Sequence, residues 1–228
     1  MIKKLLSVFC LFSLVCSLVS CGGDTPVEIN EAEFLLKAEE LFERAEALNR
    51  FFFEKEGMPL RPAGFSSGNY KEVDLSAMKK LGFDSLNAVK AENESVFSER
   101  EARFNEEYVF SPENLSEGGF SETRYQRYFI YRNPGNEDDE NNGKILAFTG
   151  DVDYLSDKIE IHTDTIKIVS AVKSGRTGET IVTVTADQSV TRAEKTQRQT
   201  ALSFRFVLED GEWKLDTSVS LVYNENMK

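Results

Sequence analysis

The only histidine of this 228-residue chain is His162, in the run Lys158-Ile159-Glu160-Ile161-His162-Thr163-Asp164. On a strand, Ile159 and Ile161 point one way and Glu160, His162 and Asp164 the other, so an imidazole base with a carboxylate neighbour is chemically available. Outward polar alternation is also the ordinary pattern of an antiparallel strand facing water. Nothing in the sequence sets a serine beside His162, so no Ser-His-Asp arrangement can be argued. A second candidate is the acidic loop Pro134-Gly135-Asn136-Glu137-Asp138-Asp139-Glu140-Asn141-Asn142-Gly143. Set on the EF-hand template, Asp138, Glu140, Asn142 and Gly143 take the first, third, fifth and sixth ligand-loop places. Thr149 stands where the bidentate Glu belongs and the flanks read as strands, so a solvated hairpin loop is expected instead. A third is the basic patch Arg192, Lys195 and Arg198, with Glu194 the only acid nearby. It could dock an acidic partner or a wall polymer, or keep a hairpin tip soluble and unpaired. Tyr125, Tyr128, Phe129 and Tyr131 could line a pocket, although strands ordinarily place such residues in their core. No catalytic residue, metal or cofactor is assigned from these patterns.

The cysteines carry a different chemistry. Lys3 and Lys4 lead into fifteen residues, Leu5 to Val19, of Leu, Val, Phe, Ser and Cys. A membrane-spanning helix needs roughly 20 apolar residues, so this run suits the hydrophobic region of an export signal. It ends at Leu18-Val19-Ser20-Cys21, which resembles the lipobox of bacterial lipoproteins. The resemblance implies cleavage after Ser20 and attachment of a diacylglycerol to the Cys21 thiol. Each buried methylene contributes about 0.8 kcal/mol and stable anchoring takes two chains, which one such group supplies. Cys10 and Cys16 would leave with the signal, residues 1–20. The mature chain would then have no free thiol for disulfides, nucleophilic catalysis or thiolate metal sites.

The whole chain has 27 basic and 39 acidic side chains, a net charge of −12. Without Lys3 and Lys4 the count is 25 against 39, or −14. That field disfavours nucleic acid and anionic lipid as general partners. Residues 21–29 read as a short linker. Its eight residues after Cys21 span roughly 28 Å at most when extended.

From Asn30 the chain reads as a single domain to residue 228. Phe34, Ala38, Leu41, Ala45, Leu48 and Phe52 recur at spacings of four and three, predicting one helix over 30–56 with Asn30 as cap and Gly57 and Pro59 as its end. Glu33–Lys37, Glu40–Arg44 and Glu46–Arg50 are expected as outward ion pairs. Short helices are expected from Asp74 through Leu81, from Asp84 through Val96, and from the capping box Ser98-Glu99-Arg100-Glu101 to a stop at Ser111-Pro112. Beyond Tyr125 the period becomes two. Expected strands are 124–132, 144–149, 158–163, 165–172, 180–190, 201–208 and 212–223, with Asp210-Gly211 as a hairpin turn.

Helices followed by antiparallel strands predict an α+β domain with its helices on one face of a curved sheet. The closing stretch Leu208-Glu209-Asp210-Gly211-Glu212-Trp213-Lys214-Leu215-Asp216 resembles the last hairpin of NTF2-like domains. That resemblance implies an NTF2-like or cystatin-like roll in which Trp213 is buried against Leu41, Leu48 and Phe52. The layout also resembles the secreted inhibitors of cell-wall DL-endopeptidases in Gram-positive bacteria. Together these readings give the expectation of a lipid-anchored, extracytoplasmic envelope protein. Its domain would bind a protein or cell-wall component without catalysis. The alternatives are an inhibitor of a cell-wall hydrolase and an NTF2-like enzyme working in the cone pocket.

Overall fold

A computed structural model describes residues 23–54, 57–63, 70–110, 127–131, 135–140, 142–149, 158–192 and 195–218. The architecture is α+β, with the N-terminal helices packed on antiparallel sheets that do not close into a barrel. Its axis is helix α1, Glu31–Phe52, capped as expected by the Asn30 side chain, which accepts from the Glu33 N–H at 3.4 Å. The helix stops four residues short of 56. The N–H groups of Phe53 and Glu54 both turn back to the Asn49 carbonyl, and Gly57 takes φ +64°. One face of α1 buries Phe34, Ala38, Leu41, Phe42, Ala45, Leu48 and Phe52. Fully burying a large apolar side chain contributes about 1.5–3 kcal/mol, so this stripe fixes the helix to its sheet.

That sheet has the order β1-β6-β7-β8-β9, formed by Thr25–Pro26, Lys158–Lys173, Thr180–Arg192, Lys195–Glu209 and Glu212–Leu215. Phe42 meets Phe204 and Phe206 edge-to-face at 4.9 and 5.3 Å, and Val182, Val184 and Leu215 complete the floor. Strands β6, β7 and β8 are longer than their expected ranges because irregularities interrupt the alternation, whereas β9, expected over 212–223, ends at Leu215. On β6, pairing with β7 passes from His162↔Asp187 to Lys167↔Thr185, and on β8 it passes from Gln199↔Gln188 to Leu202↔Ala186. Extra residues on one strand shift which side chains face the core, bend the strand and increase its twist. Expected strands 158–163 and 165–172 are thus one strand, and β8 begins six residues before Ala201, which itself has φ 54°.

A second, four-stranded sheet has the order β2-β3-β5-β4, from Leu60–Arg61, Tyr70–Val73, Ile145–Phe148 and Tyr128–Ile130. Strands β2 and β3 form in the stretch between α1 and Asp74, for which no strand was expected. Helices α2 (Leu75–Lys80), α3 (Leu86–Val96) and α4 (Glu99–Val109) open at Asp74, Ser85 and Ser98, each accepting backbone N–H groups. The α3 cap is therefore Ser85 rather than Asp84.

Three further expectations change. The residues read as linker 21–29 enter the fold at once: Thr25 and Pro26 pair with Lys173 and Val172, and the Val27 N–H reaches the Ala171 carbonyl at 3.0 Å. Trp213 is half-buried and stacks edge-on against Phe34 at 5.0 Å. It thus meets the first turn of α1, because its partner Leu208 sits near the end of β8, and it belongs beside Phe34 rather than Leu41, Leu48 and Phe52. Of the three ion pairs, Glu40–Arg44 forms at 2.9 Å, whereas Lys37 pairs with Glu40 and Glu46 turns inward to β6. Cys21, Ser111-Pro112, Tyr125 and 219–223 lie outside the described residues. No helix among the described residues is long and apolar enough to cross a membrane.

Candidate functional site

The pairing of β6, β7 and β8 gathers residues that are far apart in sequence. Glu160 stands opposite Ser189, and Ser189 opposite Arg198; one step along, His162 stands opposite Asp187. The side chains connect across the strands. His162 Nε2 lies 2.7 Å from Ser189 Oγ, and Arg198 Nε and Nη2 donate to Asp187 Oδ2 at 3.1 and 2.8 Å. Asp187 Oδ1 accepts the Ala201 N–H at 3.0 Å, so this carboxylate also secures the β8 bulge. The Ala201 amide and then Arg198 hold the Asp187 carboxyl below the usual carboxylate range. Thr165 adds a clasp: its hydroxyl donates to the His162 carbonyl and accepts the Asp187 N–H. Beyond them Thr191 and Thr196 hydroxyls meet at 2.9 Å.

This places a serine beside His162 after all, which the sequence alone did not reveal. Acyl-transfer chemistry of the triad kind needs an acid orienting the second ring nitrogen and donors for an oxyanion. Here Asp187 is committed to Arg198 and the Ala201 amide. The arrangement is a polar platform on the face of the sheet, pre-organised by hydrogen bonds and suited to meeting a polar partner.

The basic residues divide around it. Arg192 stands opposite Lys195 at the end of the β7–β8 pairing. Lys195 and Arg198 are three positions apart, an odd step, so they lie on opposite faces of β8. Lys195 is exposed, and Arg198 belongs to the platform through Asp187.

On the helix side two acids converge, Glu46 and Glu54. Glu54 accepts the Ile159 N–H at 3.3 Å and Glu46 accepts the Ile161 N–H. Burial pushes the Glu46 carboxyl up to about 7, opposed by the Ile161 amide and reinforced by Glu160, Glu54 and Glu43. These carboxylates take the place of a neighbouring strand along β6, covering amides that an edge would otherwise present.

Acidic side chains also gather at two other places. An open groove of about 810 Å³ between α3, α4 and the β8–β9 turn is lined by Glu94, Glu99, Glu106, Glu179, Glu209 and Glu212, with Arg103 and Lys214. Lys214 spans it to the carbonyls of Glu94 and Ser95, and Glu209 accepts the first N–H of α4. In the acidic loop, the Asn142 amide donates to the carbonyls of Asn136 and Glu137, closing a turn between β4 and β5. No three His, Cys, Asp or Glu side chains among the described residues gather as a metal site. Tyr128 is buried and Phe129 stacks on Tyr70, so these aromatics serve the second sheet.

Asp187 and Ser189 were the residues missed. Their signal is the alternation Val184-Thr185-Ala186-Asp187-Gln188-Ser189-Val190, which puts both on the face opposite Val184, Ala186 and Val190. Comparison with protein families, curated proteins and solved structures gave no match.

Proposed function

We propose that this chain is a bacterial lipoprotein, held through lipid on Cys21 at the extracytoplasmic side of the envelope. Its NTF2-like domain acts as a non-catalytic binding module for an envelope protein or a cell-wall component. The observation that carries the binding reading is the platform His162–Ser189–Asp187–Arg198. Its side chains are ordered across three strands and face outward, so a partner would meet donors and acceptors whose rotamers are already restricted. The lipobox residues Leu18-Val19-Ser20-Cys21 carry the location.

Neither alternative gains as much. An enzyme in the cone would have Glu46 and Glu54 for its acids, yet both are engaged by β6 amides. An inhibitor of a wall hydrolase would want a finger standing clear of the fold. The β7–β8 hairpin instead stays flanked by β6 as far as Lys158↔Thr191.

Two experiments test the proposal. Cys21→Ser should move the exported protein from detergent-extracted membranes to the soluble fraction, and unchanged membrane retention would remove the anchor. A photo-crosslinking residue at Thr196 should trap one envelope component in cells, and His162→Ala with Arg198→Ala should abolish that adduct while the domain stays folded. An adduct that survives both substitutions would place the binding face elsewhere.

A further inference from the structure

The first hydrogen-bonded residue of the described fold, Asp24, lies three residues after Cys21. The Asp24 carboxylate accepts the Gly175 N–H at 3.1 Å, Thr25 and Pro26 pair with Lys173 and Val172, and the Val27 N–H bonds Ala171. The N-terminal segment is therefore stitched to one corner of the five-stranded sheet, beside the turn 174–179. From Cys21 to Asp24 the backbone spans at most about 10 Å. The linker expected to reach roughly 28 Å has mostly been absorbed into the sheet.

The long strands all run away from that end. Strand β7 leaves the turn at Thr180 and reaches Arg192 twelve residues on. At about 3.3 Å per residue this is roughly 40 Å. Lys195 and Arg198 lie at that far end, and the platform lies along the same half of the strands. The near end also carries the acidic groove, whose Glu179 closes the 174–179 turn and whose Glu209 and Glu212 flank the β8–β9 turn. Strand β9 is four places across from β1 in the sheet. With strands about 4.8 Å apart, the β9 side of this groove sits roughly 19 Å sideways from the tether, while its Glu179 side adjoins the turn beside the tether.

We propose that the domain stands end-on to the membrane, with the β1 corner and the 174–179 turn against the lipid headgroups and the Lys195–Arg198 end directed outward. This rests on the lipid anchor at Cys21. The short tether keeps the β1 corner within about 10 Å of the anchoring lipid, while the Lys195–Arg198 end lies roughly 40 Å along the strands from it. The binding platform is thereby presented to the envelope space rather than to lipid.

The test uses the full-length protein, lipidated in cells and reconstituted in phosphatidylcholine vesicles containing a headgroup-nitroxide lipid. Because Cys10 and Cys16 leave with the signal and Cys21 carries lipid, one introduced cysteine takes the fluorophore. Label at Arg176→Cys should be quenched several-fold more strongly than label at Lys195→Cys. Ten Gly/Ser residues inserted after Gly22 should bring the two closer to equal. Equal quenching without the insertion, or stronger quenching at Lys195→Cys, overturns the end-on orientation while leaving the anchor in place. If neither label is quenched and the protein does not sediment with the vesicles, the anchor fails and the orientation falls with it.

Discussion

Around Phe42, the five-stranded sheet meets α1 through a continuous apolar surface, with Phe204, Phe206, Leu215, Val182 and Val184 all buried beneath the helix. At the other end of α1, the four-stranded sheet shares the same core through Val73, Tyr128, Ile145 and Ala147, but polar contacts set its seat. Tyr128 Oη donates to the Phe51 carbonyl at 2.7 Å and accepts the Met58 N–H at 2.8 Å. Arg127 donates to the Phe51 and Phe52 carbonyls at 3.2 and 3.1 Å, satisfying the helix end. One region is held by area, the other by a few directed bonds. Area tolerates small adjustments, whereas directed bonds to a helix terminus fail when one atom moves.

The largest effect should come from breaking the shared surface. Phe42→Ala removes a ring with no exposed surface that touches two others, and such truncations cost roughly 3–5 kcal/mol. Because both sheets depend on α1, chemical denaturation should show one cooperative transition at lower denaturant, with both sheets lost together. If the four-stranded sheet persisted in Phe42→Ala beyond loss of the other, it would be an independent unit.

Gly57→Ala probes the second region alone. At φ +64° an added Cβ would stand 2.2 Å from Arg127 Nη2 and 2.7 Å from Tyr128 Oη. The left-handed conformation adds about 1–2 kcal/mol for a residue with a side chain, and displacing the two donors weakens the seat further. The expected loss is about 2–4 kcal/mol, below that of the worst core truncations. It should be local: amide exchange should accelerate at Ile145 and Leu146 more than at Val182 and Val184. Equal acceleration in both sheets would mean that the polar seat has no local opening of its own and that both regions exchange only through global unfolding.

This difference also decides what could be read from the sequence. The α1 stripe, its Asn30 cap, the Ser98 cap and the Asp210-Gly211 turn rest on local spacing and were legible. So were the two strands of the β7–β8 hairpin and the α+β order, although Arg192, Lys195 and Arg198, read as its unpaired tip, belong to the paired strands. Strands β1 to β3 were not, because two to four residues carry no period and pair only through tertiary contacts. Alternation failed at Ala201 and between His162 and Lys167 because bulges shift the period there. Of the candidate platform, His162 and Arg198 were visible as residue types. Their union through Ser189 and Asp187 depends on register, which sequence periodicity leaves open. Glu46 looked like half of a surface ion pair, since nothing local shows that β6 presents its amides to that turn of helix.

Glu46 gives the smallest and most specific test, because it joins α1 to the apolar sheet by the kind of directed bond that seats the other. Its carboxyl is pushed up to about 7 in the fold by burial, against an ordinary value of 4.5. Between those values the folded protein holds a proton that the unfolded chain releases. The stability linked to Glu46 is therefore full below about pH 4.5 and is lost as pH rises through 7. Above 7 the carboxylate is charged beside Glu54, Glu160 and Glu43, although the Ile161 amide still favours that charged form. Glu46→Gln keeps an oxygen for Ile161 and removes the titration. After screening at this partly exposed site, the variant should gain about 1–2 kcal/mol over wild type on moving from pH 5.5 to 8.5. Denaturant titrations of both proteins at the two pH values measure it. A constant difference between them would mean that the helix–β6 contact holds the same protonation state throughout, and that directed carboxylate bonds add no pH dependence to the larger sheet.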